Sequence, residues 1–198
     1  MTLTLRRTAL LLSLLAVAGV ALVSVNALRA GPRVPADQAS LLPANLSAIV
    51  NPSTALTGVP EKASVFGPLQ PSAGEVHQLG NGAVAWLAQS QICWIAEGAG
   101  GCAPELAQPI TWSAKDPDAS GAGQPASVFG LAVDAVESVT ARLDDGRTVS
   151  AKPESNFFAA TLPSDAEPGN LTGVDATLAN GAVVKLPVSQ PSNARPAP

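Results

Sequence analysis

The sequence predicts an all-β protein: a small antiparallel β-sandwich or barrel-like domain that follows an N-terminal apolar helix and a proline-rich linker. Three observations carry that reading. From residue 75 onward, short runs of Val, Ala, Thr and Leu are broken by glycine turns, as strands joined by tight loops are. No amphipathic helical period of useful length interrupts them. Residues 139–144 alternate strictly, with Val139, Ala141 and Leu143 on one face and Thr140, Arg142 and Asp144 on the other.

Residues 1–30 open with a basic head, Arg6 and Arg7, followed by an apolar run and the triplet Val25-Asn26-Ala27. This pattern is a signal peptide cleaved after Ala27, or an N-terminal membrane anchor through residues 8–28, because about 20 apolar residues span a bilayer as a helix. Both alternatives place the remainder outside the cytosol. The exported part keeps nine basic side chains against fifteen acidic ones and has no Lys/Arg cluster, so nucleic acid is not an expected partner. Residues 31–74 hold seven prolines and no sustained period, which predicts an extended linker. Its apolar pieces at 39–42 and 46–50 are candidates for one-turn helices docked on the domain.

The β domain is expected over residues 75–190, with a disordered tail at 191–198. Hairpin-like units recur at 78–88, 139–153 and 174–187, with further strands at 91–96, 110–113, 128–133 and 156–162. The last two units align at a constant offset of 35 residues, matching Val139, Ala141, Leu143, Gly146 and Val149 with Val174, Ala176, Leu178, Gly181 and Val184. Internal duplication and coincidence both account for so short a match. In the 139–153 unit only a three-residue loop, Asp144-Asp145-Gly146, sets Val149 opposite Ala141 and Ala151 opposite Val139, so Gly146 is expected in the left-handed conformation. The chain is 46% apolar but only 4% aromatic, so its core is built largely from small side chains that each bury little area. The three tryptophans, Trp86, Trp94 and Trp112, are expected in that core, with an exposed aromatic binding platform as the sharper alternative.

Cys93 and Cys102 are the only cysteines, and Gly98, Gly100 and Gly101 lie between them. In an exported chain they are expected to form a disulfide. Their spacing is too wide for a redox pair, and His77 alone cannot complete a zinc site. His77 reads as a strand-end histidine rather than a general base, and Asp144-Asp145 as a solvated turn, because neighbouring residues there point apart. Asp116, Asp118 and Ser120, followed by Gly121, reproduce the opening of a calcium loop, but Ser127 stands where the closing carboxylate belongs. No catalytic residue, metal or cofactor is expected.

Residues 130–158 also resemble a segment of uncharacterised exported β-rich proteins of high-GC Gram-positive bacteria, to which no activity is attached. Gly130, Leu131, Asp134 and Val136, then Asp145-Gly146-Arg147, then Asn156 and Phe158 carry the resemblance, while Val133 and Ala135 depart from it. It implies a secreted β domain. The resulting expectation is an exported or membrane-anchored β module with a binding, structural or sensor-like role in the cell envelope, its partner an unidentified envelope protein or polymer. The alternative is a secreted hydrolase whose site is not located.

Overall fold

In a computed structural model, residues 40–96, 98–104, 108–117 and 125–188 are described. The expected N-terminal helix, residues 1–30, and the expected tail, residues 191–198, lie outside them. The expected all-β class is observed: among the described residues eleven strands form three antiparallel sheets. These are β1 (His77–Gln78), β2 (Val84–Ala88), β3 (Gln91–Ala96), β4 (Ala99–Pro104), β5 (Ile110–Lys115), β6 (Ser127–Ala132), β7 (Val136–Leu143), β8 (Thr148–Ala151), β9 (Phe157–Thr161), β10 (Leu171–Leu178) and β11 (Val183–Pro187).

The alternation in β7 becomes a burial pattern, with Val139, Ala141 and Leu143 buried and the residues between them partly exposed. Its hairpin with β8 has the expected register: Ala141 faces Val149, Val139 faces Ala151, and Gly146 has φ 86°. The β10–β11 hairpin repeats this geometry 35 residues later, with Ala176 facing Val184 and Gly181 at φ 82°. Even the side-chain turn bonds correspond: the Arg147 amide donates to Asp145 Oδ1 (2.9 Å), and the Ala182 amide to Asn180 Oδ1 (3.0 Å). β7 and β10 pair so that Thr140 stands opposite Asp175, its own counterpart in the offset. The repeat is therefore a local twofold in space. The Ala179 amide bonds to the Ala135 carbonyl (2.8 Å), and across the axis the Asp144 amide bonds to the Asn170 carbonyl (2.9 Å).

From β5 onward the strands form sheets ordered β5-β6-β9 and β8-β7-β10-β11. Ile110, Val128 and Phe158 of the first share one buried cluster with Val139, Val174, Ala176 and Leu186 of the second. First, second and fifth strands in one sheet, with third, fourth, sixth and seventh in the other, is a sandwich that differs from the immunoglobulin constant-type order in pairing the fourth strand with the third rather than with the fifth. β6 is buried along its whole length. It needs cover on both faces, and the additional sheet β1-β2-β3-β4 supplies the second: Trp94 on β3 meets Phe129 on β6 edge-to-face, with ring centroids 5.7 Å apart.

Residues 40–74 depart from the expected extended linker. Several of their apolar side chains are anchors rather than spacers: Leu41, Leu46, Ile49 and Ala63 are buried. One of the two expected docked turns is present as α1 (Ser47–Val50), and Pro43 and Pro52 begin 3₁₀ turns instead of extending the chain. Residues Glu61–Leu69 form a strap over the outer face of the additional sheet, where Phe66 stands edge-on to Trp86 with centroids 5.0 Å apart. Among the described residues no helix is long and apolar enough to cross a membrane.

Candidate functional site

Cys93 and Cys102 lie directly opposite each other on β3 and β4, with Cα atoms 4.0 Å apart, and are joined as a disulfide. Gly98, at φ 83°, makes the turn that returns β4 along β3. Alternation puts the bond on the strap side of the sheet, in one cluster with Trp86, Ala63 and Phe66. Cys93 is fully buried, and the Trp86 indole N–H donates to the Leu69 carbonyl (2.7 Å) from beneath the strap. Gly100 completes the fit, because a Cβ there would press on Phe66 (3.1 Å) and on the Trp94 carbonyl (2.6 Å). The cysteines are a covered fastening.

The other residues with chemical potential are held in structural roles. His77 Nδ1 lies 3.0 Å from Thr54 Oγ1, which also lies within hydrogen-bond distance of the Ala48 and Asn51 carbonyls (2.5 and 2.7 Å). This hydrogen bond between the ring and Thr54 fastens β1 to the N-terminal segment. Asp144 accepts from Asn170 Nδ2 (3.2 Å) while Asp145 is bound to Arg147, so the adjacent carboxylates diverge as expected of a turn. Arg147 also reaches Asp165 (2.9 Å). The hydrogen bond from Arg147 pulls the Asp165 carboxyl below its ordinary range, and for Asp145 the Arg147 amide is the larger cause of the same shift. Hydrogen bonds to Asp165 and then Asp145 raise the guanidinium in turn. Asp116 follows the end of β5, and Asp118 and Ser120 lie outside the described residues; among the described residues no three His, Cys, Asp or Glu side chains converge as metal ligands.

Several residues of the resemblance prove to be fold-makers. Asp134 accepts from the Ser47 amide (3.2 Å) and hydroxyl (2.8 Å), capping α1 from 87 residues away. Asn156, buried and left-handed at φ 63°, accepts from the Ala48 amide (2.7 Å) and donates to the Ala132 carbonyl (2.9 Å) and to Asp134 (2.8 Å). Gly130 faces Trp112 across the β5–β6 ladder, where a Cβ would lie 2.0 Å from the Thr111 carbonyl oxygen. Cavities of ≈330 and ≈300 Å³ flank Asp134, but this cap occupies its carboxylate.

The tryptophans divide. Trp86 and Trp94 are core residues, as expected, whereas Trp112 on β5 is partly exposed. It lines a cleft of ≈420 Å³ at the seam where the edge strands β5 and β11 approach, together with Gln108, Leu186 and Pro187. Trp112 reaches this seam because it shares a face of β5 with Ile110, which enters the core between the sheets. Pro187 suits the edge position, since an edge strand tolerates the missing N–H. Sequence reasoning did not assemble these four. The available signal was the run Ile110–Lys115, whose single tryptophan is followed by a closing lysine, an edge-strand composition. This cleft is the candidate functional site. No family model matches the chain, and neither a curated protein nor a solved structure matches it.

Proposed function

We propose that the chain is an exported β module, secreted or membrane-anchored through residues 8–28, that acts in the cell envelope by binding rather than by turnover. The observation that carries the reading is the disulfide buried beneath the strap: such a bond forms and persists in an oxidising compartment outside the cytosol. The basic head and apolar run of residues 1–30 agree with that address. Binding is favoured over hydrolysis because His77, Asp134, Asp145 and Asp165 are engaged in holding loops and turns together. The test has two parts. Intact-mass analysis of natively isolated protein is expected to show a gain of two hydrogens on reduction, and N-terminal sequencing reads cleavage after Ala27 against a retained anchor. Immobilised envelope fractions are expected to retain the exported domain; two freely alkylatable thiols, or no retention, would overturn the reading.

A further inference from the structure

We propose that the cleft between β5 and β11 binds a sugar ring of a neutral polysaccharide, with the Trp112 indole as its stacking face. The inference rests on the binding reading above and names its site and ligand class. Trp86 and Trp94 are committed to the core, through Phe66 and the Leu69 carbonyl in one case and Phe129 in the other. Trp112 is the tryptophan left partly open, at the mouth of a cleft whose ≈420 Å³ falls in the range of small-ligand sites, about 300–1,000 Å³. Its position is held from behind: Gly130 has no side chain to push β5 away, and a Cβ there would lie 2.7 Å from Trp112 Cα.

The chemistry of the lining selects the ligand class. A pyranose presents a face of C–H groups that packs on an aromatic ring, and a rim of hydroxyls that need donors and acceptors. Trp112 with Leu186 and Pro187 supplies the apolar surface. The Gln108 amide offers two donors and an acceptor, and the Trp112 indole N–H one more donor. Neither side chain has a hydrogen-bond partner among the described residues. Among the described residues the four that line the cleft carry no charge, and the exported part is acidic, so a neutral sugar fits better than an anionic polymer.

The experiment uses the exported protein and acrylamide quenching of tryptophan fluorescence, which reads Trp112 because the other two indoles are buried. Maltohexaose, mannohexaose and a hexamer of β-1,4-linked N-acetylglucosamine are the probes, with a proline-rich decapeptide as the competing class. At least one hexasaccharide is expected to lower the quenching constant about threefold. Gln108→Ala should weaken that affinity about fivefold, the loss of one hydrogen bond of average strength. Trp112→Phe, which keeps a ring packed against the core, should remain folded with a modestly lowered melting temperature but lose most affinity in calorimetric titration. Protection by the peptide alone, by none of the probes, or equal affinity of wild type and Gln108→Ala overturns the proposal. Envelope fractions separate the two readings: equal retention of wild type and Trp112→Phe sinks the cleft assignment and leaves the binding function standing, whereas retention of neither sinks both.

Discussion

Gly130 and Asn156 each hold two distant parts of the chain at close quarters, by opposite means. Gly130 does so by having no side chain. Gly130→Ala would drive a methyl group into the Thr111 carbonyl, and the expected loss is about 3 kcal/mol, the upper end of overpacking costs, read as a lower urea midpoint at constant slope. Asn156 does so by satisfying three groups at once. Asn156→Ala strands the Ala48 amide and the Ala132 carbonyl and removes a residue tolerant of positive φ, which should cost about 2–4 kcal/mol in the same measurement. The first kind of role was partly legible: Gly146 follows from the register of Ala141 and Val149 alone. The second was not, because Asn156 meets Ala48 108 residues away, and no local pattern encodes such a meeting.

Among the elements, strands with a clean period of two were readable, and so was the loop that their register demands. The β2–β3 turn was not, because Gln89 and Ser90 hold φ 49° and 63° where glycine or asparagine would have signalled a primed turn. The largest departure was residues 40–74. Seven prolines across residues 31–74 suggested an extended chain, but proline also begins 3₁₀ turns, and the buried leucines decide between the two roles. The strap and the disulfide act on the same sheet from different sides of the folding equilibrium: the strap adds buried contacts, while the cross-link restricts the unfolded chain. The double substitution Cys93→Ala, Cys102→Ala should therefore lower stability by roughly 2.5–3 kcal/mol, the chain-entropy value for a loop of about ten residues. Phe66→Ala should leave the disulfide intact in mass analysis yet accelerate its reduction by a small thiol, because Phe66 covers that cluster.

For the molecule as a whole, the bond network around Arg147 makes stability depend on acid. Asp145 and Asp165 have folded pKa values below the ordinary carboxylate range, so their contribution is fully present above about pH 4 and is lost as pH falls through the lowered values. Both groups are exposed, so the effect is small and screened by salt. Asp165→Asn is expected to flatten the fall in melting temperature below pH 4 without changing its slope between pH 5 and 7, and 0.5 M NaCl should shrink the difference. The sandwich itself was legible as a class, because alternating strands need two facing sheets. Its additional third sheet was not, because β6 shows no sequence sign of being covered on both sides.

The packing of residues 40–74 onto the sheets also sets a length. With Leu41 already buried in the domain, only residues 29–39 separate its surface from the end of the apolar run at residue 28. Fully stretched, those eleven residues reach at most about 36–40 Å. If residues 8–28 are retained as an anchor, that length is the leash between the end of the anchor and the point at Leu41 where the domain begins to pack.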